Sequence, residues 1–236
     1  MKKKIKDGSL YFRQKDILRP LGAVLLPAGL VVIYFTYSYI FYVLASVAAV
    51  SGLVMFIVGG AKHISDNDVA EQMDHAMLDY DRSVTDVKGF DRVVLKQPSP
   101  VEIGAYSFGE DAKYFKKGKN GTPISDRYTR THIFYTKDSV LVAGRAVSIA
   151  ELNEATGSGM ADFDGQFFFS DLRAATLESH ETAVTLTNTG KTVTVKWCEL
   201  VLKGDSGDLL RIPVRNDMDA STLVEDINRR IGGERT

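Results

Sequence analysis

The sequence predicts an α+β membrane protein: an N-terminal two-helix transmembrane hairpin, then a mostly antiparallel β domain with a C-terminal helix. Three observations predict it. From Pro20 to Ala61, 42 consecutive residues contain no Asp, Glu, Lys or Arg. After Gly89 the pattern changes to short alternating runs separated by Gly, Asn, Asp and Pro, the mark of paired antiparallel strands. Near the end, Leu223, Val224, Ile227 and Ile231 recur at helical spacing before Gly232 and Gly233, an apolar face followed by a stop signal.

The mean hydropathy of -0.07 and net charge of -1 are averages of two unlike parts. Residues 1–19 hold seven basic side chains (Lys2, Lys3, Lys4, Lys6, Arg13, Lys15, Arg19) against Asp7 and Asp16, a net charge of +5. Residues 61–236 hold 22 basic against 28 acidic side chains, a net charge of -6. Short basic flanks stay on the cytoplasmic side, and an even number of spans brings the chain back to it. Both termini are therefore expected to be cytoplasmic, with 1–19 as a basic N-terminal segment.

Residues 20–61 as one straight helix would run about 63 Å at ~1.5 Å per residue, twice the ~30 Å hydrocarbon core. They are expected to fold back as two spans, 20–35 and 40–60. A cleaved signal peptide has the same basic start, but its apolar region is short and is not followed at once by a second one. Tyr34, Tyr37, Tyr39 and Tyr42 gather at the fold-back, where amphipathic rings suit the headgroup level. Ala45, Ala48, Gly52, Phe56 and Gly59 form a mostly small-residue stripe on the second helix. Ala45, Ala48, Gly52 and Gly59 are the candidate helix-packing positions. Gly22 and Gly29 of the first helix are their expected partners, with an intermolecular role as the alternative.

Residues 62–89 read as an acidic juxtamembrane helix. Ser65 caps it, and Val69, Met73, Ala76, Tyr80, Val84 and Val87 recur at helical intervals. Between Asp66 and Asp86, seven acids against Arg82 as the one fixed cation make it unsuited to an anionic membrane surface. Its polar face is expected to be solvated or to meet a basic partner.

Residues 90–236 form the β domain, with strands expected at 92–96, 101–108, 127–136, 140–144, 166–171, 174–179, 183–187, 192–201 and 209–214. Asn188-Thr189-Gly190 and the 204–208 segment read as hairpin turns. Asp217 or Asp219 caps the final helix. Two local stretches, 169–177 (Phe-Ser-Asp-Leu-Arg-Ala-Ala-Thr-Leu) and 210–214 (Leu-Arg-Ile-Pro-Val) continuing through Asp219-Ala220 to Ile227-Asn228, resemble the bacterial pleckstrin-homology-like domains. Many of those domains are attached to paired transmembrane helices. The resemblance spans roughly residues 90–231, and the 151–164 insertion departs from a compact version. It implies a curved antiparallel sheet closed by one helix and brings no catalytic residue.

Other chemistry is thinly represented. Gly204-Asp205-Ser206-Gly207 looks like a serine-protease nucleophile segment, but Asp208 stands where that family has Gly and no surrounding histidine segment matches it. A tight turn is the expected role. Glu71, Asp74, His75 and Asp79 share helical spacing without a further ligand motif for zinc. Asp162-Phe163-Asp164-Gly165 lacks the remaining ligands of a calcium loop and is expected to be a Gly-rich turn. Cys198 cannot form an intramolecular disulfide and reads as a small hydrophobe in a strand. Asn120-Gly121-Thr122 matches a glycosylation acceptor that a cytoplasmic tail would not use.

The tail's one concentrated basic feature is Lys113, Lys116, Lys117 and Lys119, interleaved with Tyr114 and Phe115. It is the candidate contact for an anionic lipid or acidic partner. No phosphate-binding loop or dinucleotide fingerprint is present, and an acidic tail is no nucleic-acid footprint. The expected object is thus a membrane-anchored cytoplasmic binding or scaffolding module, without cofactor, metal or catalysis. It would recognise a protein of the same membrane or a second copy of itself. Alternatives are an anionic-lipid sensor and an accessory subunit of a membrane transporter or envelope enzyme.

Overall fold

The computed structural model describes residues 8–14, 18–61, 64–86, 101–118, 120–153, 156–215 and 218–233. The chain divides into a helical unit, 13–65, and a β-rich unit made of 1–12 and 66–236. The strand expected at 92–96, Asp217 and Lys119 lie outside the described residues.

In the helical unit, α2 (Leu18–Phe35) and α3 (Tyr39–Ala61) pack along small residues. A Cβ added at Gly22 would lie 2.6 Å from the Gly52 carbonyl oxygen, and one at Gly29 would lie 2.7 Å from the Ala49 nitrogen. Contacts move back along α3 as they advance along α2, so the two helices run antiparallel. Ala45, Ala49 and Gly52 are buried and Ala48 is half-buried, and Gly59 sits near the end of α3. Gln14 ties the unit's ends together: its Nε2 donates to the Ile64 carbonyl at 2.6 Å, and its Oε1 accepts from the Ile64 N–H at 3.0 Å.

The rest of both helices is apolar and exposed, Val24, Leu30, Val31, Ile40, Leu44 and Val47 among others. Among the described residues only α3, through Tyr39–Val58, is long and apolar enough to cross a membrane by length and composition. The apolar part of α2, Pro20–Phe35, covers the first span expected from the sequence but falls short of the length that crosses a membrane.

The β-rich unit is α+β. β1 (Val101–Ser107), β4 (Arg127–Tyr135), β5 (Ser139–Ser148) and β6 (Met160–Phe168) form one antiparallel sheet in the order β1-β4-β5-β6. A short hairpin, β2 (Phe115–Lys117) and β3 (Pro123–Ser125), is inserted between β1 and β4. β7 (Leu172–Thr185), β8 (Thr192–Gly204) and β9 (Gly207–Val214) form a second antiparallel sheet, and α5 (Met218–Gly233) follows.

Alternation along the strands builds the core between the sheets. Ile133, Tyr135, Val140 and Val142 from the first sheet meet Cys198, Leu200, Leu202, Ile212 and Val214 from the second. Ala220, Leu223, Ile227 and Ile231 of α5 close it. Each fully buried Leu or Ile contributes about 1.5–3 kcal/mol relative to exposure. The apolar face read from the sequence is therefore the face that α5 uses.

The other face of the first sheet is covered by α4 (Asp66–Asp86). Tyr80 and Val84 pack on Phe134, Leu141 and Ala143, and Ala76 and Met77 pack on Val147 and Leu152. The expected solvated or partner-facing acidic surface has its basic partner within this unit. Asp81 takes a hydrogen bond from Arg130 Nη1 at 3.0 Å and lies 2.8 Å from His132 Nε2, and Asp74 accepts from Arg130 Nη2 at 3.0 Å. Arg145 grips Asp162 with two nitrogens, donates to the Ala76 carbonyl at 2.7 Å and lies over the Tyr80 ring. The short helix α1 (Ser9–Arg13), absent from the sequence reading, buries Tyr11 and Phe12.

Three strand expectations are corrected. The stretch Asp162–Gly165 is not a turn but part of β6. Arg145 holds Asp162 across the ladder, and Phe163 extends over Gly144, where an added Cβ would meet the ring at 2.3 Å. The strand expected at 166–171 accordingly starts at Met160 and ends at Phe168. The two runs at 174–179 and 183–187 are one strand, β7, because Ser179–Ala183 pairs without a break to Thr194–Cys198.

Candidate functional site

β7 is an edge strand, and its outward backbone is engaged at both ends. At Ala175 the N–H donates to Asn228 Oδ1 and the carbonyl accepts from Asn228 Nδ2, each at 2.8 Å. Beyond the strand, the Thr187 N–H donates to the Phe115 carbonyl at 2.8 Å, and Phe115 N–H donates back to Thr187 Oγ1 at 3.1 Å. Alternation between these points turns Leu177, Ser179, Glu181, Ala183 and Thr185 outward, while Thr176 to Val184 at even positions face β8. No hydrogen bond engages the backbone of those five outward residues among the described residues. The window is thus a row of donor–acceptor pairs bounded by Asn228 and Phe115.

The outer face of the same sheet carries a charge network. Arg211 bonds Glu199 at 2.9 Å and Asp208 at 2.6 Å and lies 3.0 Å from Glu178, which also pairs with Lys203 at 2.7 Å. Hydrogen bonds that Arg211 donates to Asp208 and Glu199 raise its pKa above the ordinary value, and a hydrogen bond from Lys203 lowers that of Glu178. His180 stacks on Trp197, and its Nε2 is 3.1 Å from Glu199. Trp197 Nε1 donates to Thr182 Oγ1 at 3.0 Å. This arrangement aligns β7 and β8 side by side.

Two cavities adjoin β1. One of about 440 Å³ lies between Val101–Gly104 and the start of α5. The other, about 690 Å³, lies between Tyr11, the first turn of α4, the end of β1, the β2–β3 hairpin and the residues Lys196, Trp197, Val214 and Arg215. Arg215 lines both.

The lysine segment does not present one basic face. Lys113 pairs with Glu151 at 3.6 Å, Lys116 is 4% exposed with its ammonium 4.3 Å from the Tyr11 ring, and Lys117 is exposed. Strand alternation in β2 separates Lys116 from Lys117, which spacing in a presumed loop did not reveal. Asp126 fixes this region by accepting from the N–H groups of Lys113 and Tyr114. The small-residue stripe, in turn, faces α2 of its own chain.

The remaining motifs take structural places. Asp205 pairs with Arg173, and Ser206 stands in the tight turn between β8 and β9. Cys198 is buried in the core, 3.4 Å from Ser179 Oγ. Among the described residues, no group of three or more His, Cys, Asp or Glu is placed to hold a metal ion. The outward β7 window and the Lys196–Arg215 cavity were missed because each depends on pairing between segments distant in sequence. Comparison of this chain with family models, curated proteins and solved structures finds no match.

Proposed function

We propose that this chain is a membrane-anchored recognition module without catalytic activity, in which α2 and α3 form a two-span hairpin with both termini cytoplasmic. The domain that follows is read as pleckstrin-homology-like. Its four-stranded and three-stranded antiparallel sheets, closed by a C-terminal helix, support that reading. The exposed apolar surface of α2 and α3 supports the anchor, since such surface is costly in water.

The observation that carries recognition is the open window of β7. An extended segment of a protein partner adds there as a further strand, its backbone pairing with Leu177, Ser179, Glu181, Ala183 and Thr185. Tethering in the membrane raises the local concentration of a membrane-bound partner, so a modest contact suffices.

A photoreactive side chain at the exposed Ala183 should crosslink a defined membrane-associated protein. Ser179→Pro removes an outward N–H without touching the β7–β8 ladder. It should abolish the crosslink and leave thermal unfolding unchanged. Persistence of the same crosslink in Ser179→Pro would reject strand addition.

A further inference from the structure

The 690 Å³ cavity lies within the roughly 300–1,000 Å³ range of small-ligand sites. Its wall is apolar and aromatic, formed by Val69, Tyr106, Phe108, Ile124, Trp197 and Val214. Its polar lining holds two cations, Arg215 and Lys196, beside Asn67, Asn120 and Thr122, which can donate or accept. Arg215 has no carboxylate partner among the described residues, and Lys196 reaches only the exposed Glu181, at 2.8 Å. The Tyr106 phenol keeps its proton, because burial, then Tyr128 and Asp66, push its pKa up to about 12. The one carboxylate on the wall, Asp66, already accepts a hydrogen bond from the Tyr11 hydroxyl at 2.9 Å.

This imbalance restricts the occupant. A purely apolar ligand would leave the Arg215 guanidinium at the mouth of the cavity without a counter-charge. A small hydrophilic anion would leave the aromatic wall in water. A molecule with an apolar chain and one anionic end satisfies both halves.

We propose that this cavity binds a single-chain anionic amphiphile, its chain against Phe108, Ile124 and Trp197 and its carboxylate or phosphate on Arg215 and Lys196. Lys113, Lys116 and Lys117 do not line the cavity, so the site is separate from the basic segment noted in the sequence. It is distinct from the β7 window, although Lys196 pairs with Glu181 of that strand.

Trp197 is the chain's single tryptophan and lines this cavity, so its fluorescence responds to an occupant there. The full chain in nanodiscs of zwitterionic lipid is titrated with dibrominated stearate, with a brominated lysophosphatidylglycerol, and with the uncharged methyl ester of the first. Bromine quenches indole fluorescence at contact. Saturable quenching by an anionic probe is expected, and the probe acting at lower concentration identifies the head group as carboxylate or phosphate. The combined variant Arg215→Gln and Lys196→Gln, at two exposed positions, should raise the half-quenching concentration about tenfold or more, the loss of ~1.4 kcal/mol or more of binding. Absence of quenching by both anions, equal quenching by the methyl ester, or an unchanged curve in the double variant would each overturn the proposal.

Discussion

Asn228 on α5 and Ala175 on β7 exchange two hydrogen bonds of 2.8 Å, so one amide side chain completes the backbone of an edge strand. Ala175 is 2% exposed, so water cannot substitute for the amide. Asn228→Ala strands a buried N–H and a buried carbonyl, at a cost of about 2–3 kcal/mol. Asn228→Asp keeps the acceptor but sets a carboxylate against the Ala175 carbonyl, and should fall in the same range. Urea midpoints of the two variants against the parent chain measure this; a change within error in Asn228→Ala would mean that α5 is held by its apolar face alone.

Asp81 links α4 to the first sheet through Arg130 and His132. The three side chains are 24%, 17% and 14% exposed, so their hydrogen bonds are only partly screened. Asp81→Asn removes the charge while keeping the shape, and charge-assisted bonds of this kind are worth roughly 1.5–3 kcal/mol. Hydrogen exchange should then quicken along α4 before it quickens in β5. Equal protection of α4 in both proteins would show that Tyr80, Val84 and Met77 hold the helix unaided.

The parts of this fold that rest on local periodicity could be read directly from the chain. Leu223, Ile227 and Ile231 recur on one helical face and do pack in the core; Ala76, Tyr80 and Val84 do the same on the sheet. Length also spoke clearly for α3 and less so for α2, where the expected first span rested on the absence of charge rather than on helix length. What depends on pairing was hidden. Gly144 has meaning only because Phe163 crosses it, and Lys116 turns inward only because β2 pairs with β3 and Tyr11 lies beneath its ammonium. Tyr11 itself sits in a basic segment whose charge pattern masked a buried helix. The β7 window needed three long-range facts at once: the β8 register, Asn228 and Phe115.

Gly52 offers a sharp test of the helical unit. An added Cβ there would lie 2.6 Å from the Leu26 nitrogen and 3.0 Å from the Leu25 carbonyl carbon, both backbone atoms that cannot rotate away. Gly52→Leu must therefore separate α2 from α3, with overpacking of this kind costing about 1–3 kcal/mol. The thermal midpoint of helix loss in detergent should fall, and Leu53→Ala, on an exposed position, should leave it nearly unchanged. Equal midpoints in all three proteins would contradict the close approach at the stripe.

Tyr106 and Tyr135 give the β-rich unit an alkaline limit. Burial first, then nearby tyrosine or aspartate charge, pushes both phenols up to about 12 from the ordinary 10.0. Above about pH 10 the unfolded chain has released these protons while the folded chain keeps them. The unfolded state therefore binds fewer protons in that window, and stability, fully present below pH 10, declines as the pH rises toward 12. Tyr135 is the cleaner probe: its buried hydroxyl has no hydrogen-bond partner among the described residues, and the Arg230 guanidinium lies 4.5 Å from the ring centre. Tyr135→Phe should thus cost little at neutral pH and should flatten part of the alkaline decline in the urea midpoint. A decline as steep in Tyr135→Phe as in the parent chain would assign the alkaline limit to other groups, lysines first among them, because they titrate in the same window.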